Sequence, residues 1–373
     1  MISPRKRYEV LRLAARFAVI VLTIAAVLPA MAAGRVSPPT FKVLPPIVHG
    51  NLALFPVVAK SYDTSSLLTL DEGTRSGQVT ISEKGEQPAM VHPGQQRPFA
   101  HTGPEVNRLL LYNNSDRPLL LLAGEIVTGG KQDRVIGSDR IVPPKSGPVD
   151  LSVFCVEPGR WTGATPVFGS LGEQMAQPEV RAPAMADKNQ QAVWDSVRSS
   201  NAQVARSLAA PIAGELHGTT SYAKVFGSRP VQQAIEQYGG ANGQQTTLTE
   251  LKKTGSVGVV VAVNGQLLWA DLFASTDLLS RYWAKLNNSY IAEALTRPSG
   301  GAAPSVVSAE SWINAVSGTR EVSETEPGVY RRTDITGDGY RVFKLTSFSP
   351  AIAPVHLTKI TQQQQAYSSP VIR

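Results

Sequence analysis

The feature that most constrains the fold is a series of short apolar runs separated by clusters of turn-forming residues. Residues 108–112 and 119–123 are largely apolar, and residues 113–118 between them are rich in Asn, Ser, Asp and Pro. A second cluster, Pro143–Pro148, precedes Val149–Val156, whose alternate residues share a face. Such runs predict strands, and several in succession predict a β-sandwich or a barrel-like arrangement.

Helical periodicity replaces alternation after about residue 170. An apolar stripe predicts a helix from Asp187, as its cap, to about 209, and another from Ser275 or Thr276 to about 295. Ser228 and Gly239 bracket a further helix, and Asn264-Gly265 marks a hairpin over residues 255–273. The sequence thus predicts an α+β protein. Its predicted parts are a β-rich half (34–175), a half of hairpins and amphipathic helices (176–365) packed on it, and a loose tail (366–373).

Residues 1–33 have the order of a secretory signal peptide. Basic residues come first, an apolar run follows over Phe17–Leu28, and Ala30-Met31-Ala32 is a small-x-small cleavage signal before Ala33. The run is short for a membrane span, which needs roughly 20 residues. We therefore expect export to the periplasm or the extracellular space, with no membrane span after cleavage. An uncleaved anchor is the alternative.

Charge, cysteine and histidine content exclude several classes of function. The leader has five basic residues and one acidic residue, so it carries +4 of the formal +7, and the remainder is too dispersed to indicate nucleic-acid binding. Cys155 is the single cysteine, so no internal disulfide forms. The five histidines lack ligand spacing, so we predict no metal site, and no cofactor is predicted from the sequence. The oligomeric state is not predicted.

The most informative polar segment is Gly124–Arg134. Glycines at 124, 129 and 130 permit close approach of a ligand or a neighbouring strand. Lys131 and Arg134 suit phosphate or carboxylate, and Gln132 suits a polar ligand. Glu125 suits an acid, a base or a metal ligand. A bulged turn whose charges pair with one another is the alternative.

A second polar segment follows the strand that ends near Cys155. Cys155 lies on the same face of the predicted strand as Leu151 and Val153, which favours a buried, inert thiol. Glu157 and Arg160 flank Pro158-Gly159. These two charged residues either belong to a binding site or form a structural salt bridge. Trp161 suits stacking on a ligand or core packing. A further polar cluster, residues 62–66 with Asp71-Glu72, could face the same site.

These segments resemble a poorly characterised family. It is the domain associated with ADP-ribosylglycohydrolases and rhodanese-phosphatases, type one (ARPP). The matching residues are Leu70-Asp71-Glu72 with Ser76-Gly77, Asn114 to Glu125, Lys131-Gln132 with Arg134, Val142-Pro143, and Cys155 to Trp161. The resemblance covers most of the chain beyond the leader and implies, by association only, a link to ADP-ribose or nucleotide processing. The family usually has Asn after Lys-Gln, where this chain has Asp133.

The two polar segments together predict a pocket that binds a small anionic or nucleotide-like ligand. Hydrolysis of the bound ligand is a further expectation. Glu125 and Glu157 are the predicted catalytic residues, which would activate water. The predicted ligand-binding residues are Lys131, Gln132, Arg134, Arg160 and Trp161. The alternative is a non-enzymatic envelope module, structural or interacting, in which the same residues tie strands together.

Overall fold

The computed structural model describes residues 41–83, 108–159, 167–208, 219–240, 243–297, 300–349 and 352–362. The predicted leader, the predicted tail, Arg160 and Trp161 lie outside these ranges. The fold is α+β, as predicted, with a closed barrel and antiparallel sheets.

The strands within the described ranges follow one another from Lys42 to Thr361. They are β1 (Lys42–Val43), β2 (Ile47–His49), β3 (Leu52–Val58), β4 (Leu68–Thr69), β5 (Val79–Glu83), β6 (Arg108–Asn113), β7 (Leu119–Leu121), β8 (Glu125–Gly129), β9 (Arg134–Ile136), β10 (Arg140–Val142), β11 (Ser146–Cys155), β12 (Val167–Met175), β13 (Gly258–Val263), β14 (Gln266–Phe273), β15 (Thr319–Glu326), β16 (Tyr330–Gly337), β17 (Tyr340–Ser347) and β18 (Ala353–Thr361).

The helices lie mainly in the second half of the chain. They are α1 (Leu70–Arg75), α2 (Pro178–Ala182), a π-helical turn (Pro183–Asp187), α3 (Gln190–Ser207), α4 (Tyr222–Phe226), α5 (Arg229–Tyr238), α6 (Gly243–Lys253), α7 (Thr276–Leu295) and α8 (Val306–Asn314). None of these helices combines the length and the apolarity that crossing a bilayer requires.

The largest sheet has nine strands in the order β1-β3-β13-β14-β18-β17-β16-β15, with β2 also paired to β3. It takes strands from both sides of residue 175, the boundary that the sequence predicted between two halves. Leu54 and Val261 face a core that contains the large side chains of α7, while Phe55 and Val260 face a second core beneath α8. Because both faces are covered, β3 and β13 are buried along most of their length.

A closed barrel forms from β11, β6, β5, β12, β8 and β9 in that order, and β10, β7 and β4 make a small separate sheet. Ile81, Leu111, Val127, Val153 and Phe168 share the barrel's apolar core. The barrel places the β8–β9 turn, the end of β5 and the end of β11 close together.

Capping and turn-forming residues account for several element boundaries. Ser275 accepts a hydrogen bond from the Leu278 amide and caps α7, as predicted. Asn264 and Gly265 both have positive φ, as a type I′ hairpin requires. The predicted cap at Asp187 is wrong: Asn189 caps α3, because a π-helical turn occupies residues 183–187.

The pairing of the strands is irregular at two places. Pro56 lies on β3 between the stretches that pair with β1 and β2, and the register shifts by one residue there, with four positions from Val43 to Ile47 against three from Val57 to Leu54. No partner strand there needs the missing N–H. The apolar runs 108–112 and 119–123 do form strands on either side of a turn, but the two strands do not pair with each other, because β6 joins the barrel and β7 the small sheet.

Candidate functional site

The predicted residues Lys131, Gln132 and Arg134 lie in and after the β8–β9 turn. Gly130 has φ 53°, and a Cβ at this position would lie 2.6 Å from Glu83 Oε1. The turn therefore presses against the end of β5. The Lys131 amide donates to Glu83 Oε1 at 3.0 Å.

Arg134 is fully buried beside this turn. Its Nη1 donates to the Gln132 carbonyl at 2.7 Å, and its Nη2 lies 3.9 Å from Glu83 Oε1. The guanidinium thus contacts a carboxylate and carbonyl oxygens inside the protein, and its side chain has no exposed surface.

The two predicted polar segments meet next to Arg134. Gln132 Nε2 donates to the Glu157 carbonyl at 3.1 Å, and the Val156 amide donates to the Asp133 carbonyl at 3.1 Å. Gln132 and Glu157 are both buried. Arg160 and Trp161 follow immediately but lie outside the described residues.

Glu125 lies apart from that cluster, at the other end of β8. Its Oε1 is 2.7 Å from Lys285 Nζ, and its Oε2 accepts from the Leu122 amide at 2.8 Å. The Asp71 carboxylate is 2.6 Å from the same ammonium, so part of the further polar cluster noted in the sequence does reach Glu125. Burial raises the pKa of Glu125, and Lys285 partly offsets this. Burial alone would lower the pKa of Lys285, but Glu125 and Asp71 outweigh it and raise it.

Sequence reasoning missed a second buried polar network centred on Asp271. Arg181 donates to both carboxylate oxygens of Asp271, at 2.9 and 3.1 Å, and Tyr290 donates at 2.5 Å. His356 lies between Asp139, at 2.6 Å, and Asp271, at 3.3 Å. Burial alone would raise the pKa of Asp271, but Arg181 and His356 hold it well below the usual range. For His356 the effects are reversed: burial alone would lower its pKa, but the two carboxylates raise the pKa to about 9.

The two buried networks join at the turn that carries Glu125. Gly124 has φ 97°, and a Cβ here would lie 2.5 Å from Arg181 Nε. The neighbouring Ala123 amide donates to Asp139 Oδ1 at 2.8 Å. This turn therefore fits closely between the Asp271 network and the Lys285 ion pairs.

An open cleft of about 550 Å³ is lined by residues of β11 and of the β15–β16 hairpin. Four cationic side chains line it, together with three serine hydroxyls and two carboxylates. We call it the cationic cleft. Its polar lining residues are Arg108, Arg140, Lys188, Arg332, Ser138, Ser152, Ser323, Asp150 and Glu324.

The carboxylates of the cationic cleft are engaged by its arginines. Asp150 lies 3.0 Å from Arg108, and Glu324 lies 3.6 Å from Arg140 and 3.7 Å from Arg332. Lys188 differs, because its Nζ donates to the Gly137 carbonyl and, at 2.7 Å, to Ser138 Oγ. Within the described ranges, no carboxylate oxygen lies within 4.0 Å of that ammonium.

The pKa of Lys188 follows from this setting. Lys188 as a residue is exposed, but its ammonium is partly desolvated. This desolvation, the largest effect, and Arg332 both lower the pKa, more distant carboxylates oppose them, and the resulting pKa is about 8. Lys188 is also one of three described non-glycine residues with positive φ, at 51°. The sequence carries no signal for this cleft, since Ser138 and Lys188 are 50 positions apart.

The predicted residues and the cationic cleft do not overlap. None of Glu125, Lys131, Gln132, Arg134 and Glu157 lines it, and the roles assigned to them stay predictions. No group of three or more His, Cys, Asp or Glu side chains within the described ranges is arranged to hold a metal ion.

Comparison with known proteins supports the resemblance found in the sequence. No curated protein and no solved structure matches the chain. The model of one family, the ARG and Rhodanese-Phosphatase-superfamily-associated Protein domain, matches residues 40–358. The match covers most of the chain and includes both polar segments, so the protein belongs to this family, ARPP-1.

Proposed function

We propose that the protein binds a small anionic ligand carrying a phosphate group, of the nucleotide-like class, in the cationic cleft. The observation that carries this proposal is the ammonium of Lys188, which contacts neutral oxygens in a cleft that also holds three arginines. A cation in a partly enclosed site is stabilised by an opposite charge. A bound anion supplies that charge.

The lining of the cleft suits a phosphate group. Guanidinium groups offer paired N–H donors that match phosphate oxygens, and Lys188 adds a point charge. The hydroxyls of Ser138, Ser152 and Ser323 add neutral hydrogen-bonding groups. The family's description, which names an association with ARG proteins and the rhodanese-phosphatase superfamily, supports the same ligand class.

The test is a titration of the purified protein with inorganic phosphate, AMP, ADP-ribose and, for comparison, acetate. We expect a phosphate-bearing compound to bind and to raise the melting temperature as its concentration increases. Lys188→Ala removes a hydrogen-bonded charge, worth about 1.5–3 kcal/mol, so the Kd should rise roughly 10- to 100-fold. Lys253→Ala is the matched control, because that lysine is exposed on α6. Failure of every phosphate compound to bind, or an unchanged Kd in Lys188→Ala, contradicts the proposal.

The alternative, that the polar residues predicted from the sequence tie the fold together, has support of its own. Arg134 contacts Glu83 inside the barrel, and Glu125 contacts Lys285, each with almost no exposed surface. Both roles coexist in one protein, since the cationic cleft and the buried pairs share no residues. Stability measurements on these pairs separate this role from ligand binding.

We also propose that the protein is exported, on the basis of its leader. The test is to fractionate cells that express the full chain and to determine the N-terminus of the recovered protein by mass spectrometry. We expect a start at Ala33 or Gly34 in the periplasmic or extracellular fraction. Recovery of the uncut chain in the cytoplasm contradicts this.

A further inference from the structure

The contact between Ser138 and Lys188 has the geometry of a nucleophile and its base. Ser138 Oγ lies 2.7 Å from Lys188 Nζ, and the Gly137 carbonyl accepts from the same nitrogen. That carbonyl fixes one N–H of the lysine. In the neutral amine, the lone pair is then available to accept the proton of the Ser138 hydroxyl.

The protein holds both partners of this contact in place. Ser138 precedes Asp139, whose buried carboxylate accepts from the Ala123 amide at 2.8 Å and contacts His356 at 2.6 Å. The backbone at Ser138 is therefore anchored to the core. Lys188 lies in the left-handed region between the π-helical turn and α3, whose first turn Asn189 caps. Non-glycine residues are strained in this region and concentrate at functional sites.

The charged groups around Lys188 come from several elements. Arg332 on β16 disfavours the ammonium, whereas Asp334 on β16, Glu324 on β15 and Asp139 near β10 favour it. Partial burial has the largest effect, and the resulting pKa is about 8. About a tenth of such lysines are neutral at pH 7, compared with well below a thousandth at an ordinary lysine pKa.

We propose that Ser138 is a catalytic nucleophile and Lys188 its general base in the hydrolysis of a phosphate monoester. This inference rests on the proposed function, because the same cleft must first bind the phosphate group. Arg140 and Arg332 line the cleft beside the pair and stabilise the charge on the non-bridging phosphate oxygens.

The reaction proceeds in two balanced steps. Ser138 Oγ forms a bond to phosphorus while the bond from phosphorus to the alcohol oxygen breaks. Lys188 takes the serine proton and passes it to the departing alcohol. Water then attacks the phosphoserine, Lys188 accepts a proton from that water, and the proton returns to Ser138 Oγ as it leaves. The products are one alcohol and one inorganic phosphate, and no oxidant or reductant is needed.

The experiment uses two probes on the purified protein. A fluorophosphonate reports serine nucleophilicity, with the labelled peptide mapped by mass spectrometry. p-Nitrophenyl phosphate reports hydrolysis through release of p-nitrophenol. We expect labelling at Ser138 and p-nitrophenol release, both abolished in Ser138→Ala and unchanged in Ser311→Ala, a control at an exposed serine on α8 that does not line the cleft. Both rates should rise with pH up to about 8.

Lys188→Arg distinguishes a lysine that acts as a general base from one that only supplies a positive charge. Arginine keeps the charge but does not deprotonate in proteins, so both rates should fall at least tenfold while the phosphate Kd changes less. Absence of label at Ser138, absence of p-nitrophenol release, or full activity in Ser138→Ala overturns the inference. Phosphate binding without hydrolysis overturns it and leaves the proposed function standing, whereas failure of phosphate to bind or to protect Ser138 from the label refutes the proposed function.

Discussion

Replacing Lys285 with methionine tests the buried ion pairs at the start of β8. The change leaves the carboxylate of Glu125, 1% exposed, and that of Asp71, 16% exposed, facing each other without their shared ammonium. Breaking a buried pair on one side costs roughly 3–5 kcal/mol. Residues 39–373 form one unit, whose unfolding entropy is about 0.7 kcal/mol/K at about 2.1 cal/mol/K per residue. The melting temperature should therefore fall by about 4–7 °C.

The dependence of this loss on pH identifies its cause. Without Lys285, burial raises the pKa of Glu125 with less opposition. A carboxyl whose pKa is raised on folding destabilises the fold when it is ionised, and this penalty disappears as the pH falls and the group is protonated. The difference in melting temperature between variant and wild type should thus narrow between pH 7 and pH 4.

Scanning calorimetry across this pH range is the assay, with two further variants. Glu125→Gln combined with Lys285→Met removes both charges and should recover part of the loss, because a neutral amide at position 125 needs no cation. Lys253→Met, on the exposed surface of α6, should change little. A Lys285→Met protein that melts within about 1 °C of wild type, or whose deficit is the same at every pH, would refute the assignment of this pair as a structural tie.

Three further predictions concern stability and reactivity. The fold raises the pKa of His356 to about 9. Its contribution to the free energy of unfolding is therefore fully present below its unfolded pKa and is lost as the pH rises from about 6.5 through 9. Chemical denaturation should show wild type losing up to roughly 3 kcal/mol over that range, with a flatter profile for His356→Asn. Gly124→Ala should cost more than about 2 kcal/mol in the same assay, on the order of a buried overpacking change, since its Cβ meets Arg181, whereas Gly77→Ala, with open space around it, should cost only about 1 kcal/mol. Burial raises the pKa of Cys155 to about 11, so a thiol reagent should modify it slowly at pH 8 and rapidly after unfolding; equally fast modification of the native protein would contradict this.

The elements that the sequence predicted well are those specified locally. The hairpin at Asn264-Gly265 and the cap at Ser275 depend on the chemistry of a few adjacent residues. The alternation within Val149–Val156 predicted a strand with Leu151 and Val153 inside, and both are buried. Neighbouring residues decide such features before any tertiary contact forms.

What the sequence did not predict depends on partners far along the chain. The polar segments were identified, but Glu125 meets Lys285, 160 positions later, and Arg134 meets Glu83 across the barrel. Closure of the barrel brings Arg134 to Glu83, the packing of α7 brings Lys285 to Glu125, and no local pattern encodes either. The contact between Ser138 and Lys188 escaped notice for the same reason, since a lone serine and a lone lysine have no distinctive spacing.

The pairing of β3 with β13 has a consequence for how the chain reaches its native state. Leu52 pairs with Val263, so strands made early in synthesis must wait for partners made more than 200 positions later. β14 in turn needs β18, which ends at Thr361. Such high contact order slows folding, and it keeps unpaired apolar edges accessible to chaperones and proteases until β18 has been synthesised.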